Sequence, residues 1–144
     1  MIATHPHADH IGGLIAILDA FDVDELWHNG DTSTSKTYDD FMDRVNAVGG
    51  EVIEARRGDT IVADGLTLDV PHPVEPLGED TNNNSIVLML SYGDIDFLFT
   101  GDAEEEAEAS MIAAGVLAEI EILKVGHHGS HSSSSRAFLD IIQP

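Results

Sequence analysis

Near the amino end, Thr4-His5-Pro6-His7-Ala8-Asp9-His10-Ile11-Gly12-Gly13 places three imidazoles and a carboxylate within six residues, in the spacing H-x-H-x-D-H. The flanking residues restrict what the chain can do with them. Met1-Ile2-Ala3-Thr4 reads as the end of a buried strand, and Ile11 to Phe21 (IGGLIAILDAF) repeats apolar residues at helical spacing. A strand must therefore give way to a helix within a few residues, with the polar groups on the junction. In extended backbone His5 and His7 point to the same side. Asp9 and His10 then fall on the turn opening the helix and aim at a second point nearby. Gly12 and Gly13 remove side-chain bulk where backbone passes close. Imidazole nitrogen and carboxylate oxygen both bind zinc-like cations, so the junction is a candidate metal site.

The 144 residues suit one domain, 1–144, with a modest core. Charge is the outlier: 27 Asp and Glu against 6 Lys and Arg, a formal net charge of −21. Such a surface repels itself in dilute salt, the composition of a salt-adapted, halophilic protein. The carboxylates are spread between apolar segments, which excludes a disordered acidic tail. No basic stripe marks a broad nucleic-acid footprint. In molar salt, however, the Debye length is about 3 Å and long-range repulsion is screened. Without cysteine, any cation must be held by His, carboxylate or water. No apolar run approaches a membrane span, and no signal peptide is visible at the amino end.

Further along, Val23 to His28 reads as a short strand ending in a structural histidine, and Lys36 to Val48 as an amphipathic helix stopped by Gly49-Gly50. Its apolar stripe is Tyr38, Phe41, Met42, Val45 and Val48. Glu51 to Ala55 is a strand, followed by Arg56-Arg57 in a solvated turn. Thr60 to Ala63 and Leu66 to Val70 form a hairpin around Asp64-Gly65. His72, between two prolines, reads as a rigid turn rather than a ligand. Ser85 to Tyr92 and Ile95 to Thr100 are strongly apolar strands joined at Gly93-Asp94, the best core candidates. Ala103 to Ala114 predicts a helix with acids in its first turn. Glu121 to Val125 is a last strand, and serines precede a final capped helix, RAFLDII.

Two later motifs carry chemistry. Asp102 closes the strand FLFTGD, and Gly126-His127-His128-Gly129-Ser130 follows the strand EILKV. If these strands end at the same sheet edge as the first motif, Asp102 and one of the two imidazoles, with His128 preferred, lie beside it. His131 is peripheral.

In order and spacing, HPHADHIGGL, NNNSIVLML-YG-FLFTGD and LKVGHHGS resemble the metallo-β-lactamase superfamily, and within it the metal-hydrolase domain of ComEC-type competence proteins. The resemblance implies an α/β (α+β) fold, an αββα sandwich that is incomplete here. The metal motif begins at residue 5, whereas the family places several strands before it and a further element after the final helix. A chain truncated at both ends is therefore expected. Many members of that branch carry Asp where this chain has His7. The middle histidine ligand of the wider superfamily has no clear counterpart, since Asn82-Asn83-Asn84-Ser85 occupies that region; one metal site is incompletely liganded, and Asn84 or Ser85 would assist through water.

The resemblance further implies two divalent cations, zinc first and manganese as an alternative. His5 and His7 would serve one and Asp9 and His10 the other, with Asp102 between them, His128 nearby, and Asp9 and Asp102 as the catalytic carboxylates. The implied activity is metal-dependent hydrolysis by a phosphodiesterase or nuclease of DNA uptake, acting on single-stranded DNA. In the full-length family protein a membrane channel domain would be a partner, with this domain on the extracytoplasmic side. Two other functions stay open: a hydrolase of small esters, thioesters or lactams, and an inactive metal-binding or interaction module. A groove rimmed by the few bases would favour nucleic acid; a closed apolar pocket would favour the small molecule.

Overall fold

In the computed structural model of the protein, which describes residues 1–47 and 49–144, two sheets face each other between two pairs of helices. The first sheet is parallel, in the order β1 (Ile2–Ala3), β2 (Glu25–His28) and β3 (Glu51–Glu54). Parallel neighbours need crossovers, supplied by α1 (Ala8–Ala20) and α2 (Lys36–Val45). The second sheet runs in sequence order through β4 (Thr60–Ala63), β5 (Leu66–His72), β6 (Val87–Tyr92), β7 (Ile95–Phe99) and β8 (Ile122–Lys124). Its pairs are antiparallel except β7 with β8, which are joined through α3 (Glu105–Ala114). The chain closes with α4 (Arg136–Ile142). Val48 lies outside the described residues.

Period-two burial explains the layering. On β2, Leu26 packs with Ile11, Phe41 and Val45 of the outer helices, while Trp27 points between the sheets to Ile61, Val70, Ile86 and Leu88. Around β6, Ile86 and Leu88 face the inter-sheet core, and Val87 faces Met111, Phe138 and Ile142 beneath α3 and α4. Three apolar interfaces thus separate four layers, the αββα arrangement. At the β4–β5 turn Asp64 and Gly65 both have positive φ (50° and 81°), the geometry a two-residue hairpin prefers.

Some boundaries differ from expectation. The first helix begins at Ala8, so Asp9 and His10 lie within its first turn. Arg56 and Arg57 are not a solvated turn. Arg56 is half-buried, donates to the carbonyls of Asn29 and Ala55, and pairs with Glu54 and Glu75; Arg57 donates to the Pro71 carbonyl and the Ser110 hydroxyl. Three backbone carbonyls and the Ser110 hydroxyl in reach drew these guanidinium groups inward. His72 ends β5 and is buried, bonded through Nε2 to the Asn83 carbonyl at 2.7 Å. Ser135 caps α4 by accepting the Phe138 amide. No helix among the described residues is long and apolar enough to cross a membrane.

Candidate metal centre

β1, β7 and β8 all finish at one edge. Beyond β1 the Thr4 carbonyl accepts the Ile86 amide at 2.9 Å, locking the first motif against the entry to β6. Because β6 and β7 are antiparallel, the end of β7 lies beside that entry. Gly101 there has φ 55°, and a Cβ on it would sit 2.9 Å from the Ser85 Cβ, so only glycine lets the turn carry Asp102 this close to the first sheet. Gly126 does the same after β8: a Cβ would lie 2.6 Å from the Ala103 carbonyl oxygen.

These turns gather four imidazoles around one carboxylate oxygen. Oδ2 of Asp102 lies 3.1 Å from His10 Nε2, 3.4 Å from His128 Nε2, 3.8 Å from His5 Nε2 and 4.0 Å from His127 Nε2. Asp9, on the exposed side, brings Oδ2 to 3.3 Å from His128 Nε2 and 3.6 Å from His10 Nε2. Two overlapping sets of donor atoms result, His5–His10–Asp102 toward the interior and Asp9–His10–His128 toward solvent, each with its atoms within 4.8 Å of one another. His7 is exposed; its ring stands edge-on to that of His5, centroids 4.7 Å apart, outside both sets.

The donor set suits a divalent ion. With bonds of about 2.0–2.2 Å, tetrahedral ligand atoms stand roughly 3.3–3.6 Å apart, close to most of the separations above. His5 Nε2 and Asp102 Oδ1 are buried with no hydrogen-bond partner among the described residues. Such groups are costly to leave unpaired, and a cation would satisfy both. Burial, reinforced by the neighbouring His10 and opposed by Asp102, lowers the His5 pKa to about 4, keeping the ring neutral and able to ligate. Its Nδ1 is held by the Thr4 hydroxyl at 3.2 Å and the Ser85 hydroxyl at 3.3 Å. Ser85 also accepts the Asp102 amide at 3.1 Å, so it orients both groups directly, without an intervening water. Asn84 faces away, bonded to Gly78 and Asp31.

Desolvation would raise the Asp9 carboxyl, yet its own backbone amide and the imidazoles of His10 and His128 outweigh it and hold the pKa low. Glu104, which sequence reasoning did not single out, accepts from His127 Nδ1 at 2.6 Å and from the Ser132 hydroxyl at 2.8 Å. Here too burial pushes the pKa up, while Ser132 and His127 bring it below the ordinary range. His127, His128 and Gly129 all have left-handed φ (43°, 53° and 82°). Left-handed non-glycine residues cost about 1–3 kcal/mol each and persist where surroundings fix them; here they turn two successive imidazoles toward Asp102. His28 and His131 stand apart: His28 accepts the Gly30 amide, and His131 is exposed.

A four-layer α/β sandwich with histidines and carboxylates converging at the sheet edge defines the class. The metallo-beta-lactamase superfamily profile matches residues 1–144, and the chain belongs to that superfamily. Its relatives include ComE operon protein 3 of Bacillus subtilis, 30% identical over all of this chain and 19% of that protein. Recombination protein 2 of Haemophilus influenzae is 31% identical over all of this chain and 16% of its own length. Competence protein ComA of Neisseria gonorrhoeae is 35% identical over 56% of this chain and 12% of its own. These names accord with the ComEC-type resemblance, and the chain spans less than a fifth of the length of each.

Proposed function

We propose that the chain is a metal-dependent phosphodiesterase acting on single-stranded DNA, in the manner of a ComEC-type domain of DNA uptake. The observation that carries it is the convergence on Asp102 Oδ2 of His5 and His10 from the first motif and His128 from the loop after β8. His5, with His7 beside it, would hold the inner cation; Asp9, His10 and His128 the outer; Asp102 would lie between the two. Zinc suits the imidazoles, and the carboxylate oxygens also accept manganese. Divalent cations, when bound there, supply a hydroxide nucleophile near neutral pH and stabilise charge on a phosphoryl oxygen.

The protein's own groups supply the rest. Ser85 and Thr4 fix the His5 ring. Asp9, ionised and 66% exposed at its side chain, is placed to accept a proton at the solvent face and release it. The rim is open, since the His128 side chain is also 60% exposed, so a phosphodiester within a long strand can reach it. This openness favours a polymer over a small ester or lactam, which needs an enclosing apolar pocket. The larger cavities, of about 620 Å³ beside Leu18 and Arg44 and about 700 Å³ beside Trp27 and Ile61, contain none of these ligands. By the same resemblance a membrane channel domain would be the partner, with this domain outside the cytoplasm.

The test is cleavage of single-stranded DNA with zinc or manganese added, beside a phosphodiester dye, a thioester and a lactam. The proposal expects both phosphodiesters to be cut, with activity lost in EDTA and in Asp102→Asn. Turnover of the thioester or lactam alone would replace it with the small-molecule reading. Stoichiometric metal binding without any hydrolysis would leave a metal-binding module.

A further inference from the structure

The Asp102 turn and the serine-rich loop meet at Glu104, and neither of the two donor sets uses that residue. Its backbone amide donates to Asn83 Oδ1 at 3.1 Å, and its carboxylate accepts from three side chains, the most distant being Asn82 Nδ2 at 3.5 Å. Its Oε1 accepts from Ser132 Oγ at 2.8 Å, and Ser132 is itself tied to Ser130 Oγ at 2.8 Å. The same Oε1 accepts from His127 Nδ1 at 2.6 Å, a charge-assisted length. In a neutral imidazole, an Nδ1–H given to a carboxylate leaves the other nitrogen with its lone pair. In His127 that nitrogen, Nε2, stands 4.0 Å from Asp102 Oδ2. The ring can tilt little, because its backbone amide is held by the Gly101 carbonyl at 3.2 Å and its φ of 43° is fixed by the turn.

We infer that Glu104 is a positioning residue of the cation centre: it fixes His127 in the tautomer whose Nε2 lone pair faces Asp102, adding His127 as a ligand. Carboxylate–imidazole–cation chains of this kind raise ligand basicity and set ring direction. The arrangement also gives the strained 127–129 turn a purpose, since it turns both imidazoles of the pair to the same carboxylate. The inference rests on the metal-centre reading above and goes beyond it by assigning one residue inside the cluster and one behind it.

The test is a double-mutant cycle on the full chain. Affinity is read by competition with a chromogenic chelator and by the visible absorption of the cobalt(II)-loaded protein. His127→Ala and Glu104→Ala are each expected to weaken one equivalent of zinc by about 10–100-fold. The double variant should be no weaker than His127→Ala, because Glu104 acts through that ring. Ser132→Ala, which loosens the loop and leaves the imidazole its acceptor, should stay within about threefold. Glu104→Gln keeps an acceptor oxygen without the charge; melting like wild type in EDTA, it should show an intermediate loss and an altered cobalt spectrum. Wild-type affinity and spectrum in both Glu104 variants would overturn the inference while leaving the metal centre intact. So would additive losses in the double variant, or a Ser132→Ala loss equal to that of Glu104→Ala. No stoichiometric binding by the wild type would instead overturn the metal-centre reading, and this inference with it.

Discussion

Replacing Asp102 by Asn separates what its carboxylate does for the fold from what it does for a cation. The side chain is buried, Oδ1 has no partner among the described residues, and Oδ2 is met by imidazoles at 3.1–4.0 Å. Without metal this is an unsatisfied buried group, whose burden is about 1–3 kcal/mol and larger for a charge. An amide of the same shape removes the charge, so in EDTA the variant should melt no lower than wild type. With metal the order reverses. A cation at 100 times its dissociation constant stabilises the folded state by about 2.7 kcal/mol. For a chain of this size, roughly 3–5 °C per kcal/mol gives a rise of roughly 8–13 °C. Differential scanning calorimetry of both proteins, in EDTA and in excess zinc, reads all four values. Wild type should gain that rise and Asp102→Asn most of it lose. An equal zinc-induced rise in both proteins would show that Asp102 holds no cation, and an EDTA melting point many degrees lower for the variant would show that its carboxylate serves the fold.

Acid should destabilise the metal-free protein. Burial holds the His72 pKa below 6.5, as it does that of His28; the stability this contributes is complete above about 6.5 and is lost as pH falls, because the unfolded chain takes up protons first. Urea midpoints in EDTA should therefore drop between pH 7 and 5, and less so in His72→Asn. Gly101→Ala, forced to φ 55° with its Cβ 2.9 Å from Ser85, should lose about 1–2 kcal/mol from conformation alone; its zinc affinity, measured by titration, should fall as Asp102 is displaced. Phe138→Ala opens the core beneath α3 and α4, where the ring is 1% exposed, and should cost about 3–5 kcal/mol in urea unfolding. The net charge of −21 predicts a higher melting point in molar KCl than in dilute buffer; identical melting by circular dichroism would contradict salt adaptation.

Much of the layering was legible because local pattern and burial agree. The apolar runs around Gly93-Asp94 became β6 and β7, and the spacing of the first motif located a strand-to-helix junction. What escaped reading depends on contacts distant in sequence. Glu104 looked like one more acid in a helix's first turn; its role appears when His127, 23 residues later, folds back onto it. Glu108 is buried and accepts the amides of Ser134 and Ser135, contacts that no local pattern around it marks. His7, extended at the N-cap position of α1 and making no side-chain cap, keeps its ring 4.7 Å from that of His5 yet outside both donor sets. The left-handed turn that aims both His127 and His128 inward has no local signal beyond its flanking glycines.

Anomalous diffraction from a zinc-loaded crystal would locate the ion itself. A peak is expected within about 2.0–2.2 Å of Asp102 Oδ2 and of His10 Nε2. Zinc found at scattered surface carboxylates or at His131, with the Asp102 carboxylate bare in the same crystal, would contradict that expectation.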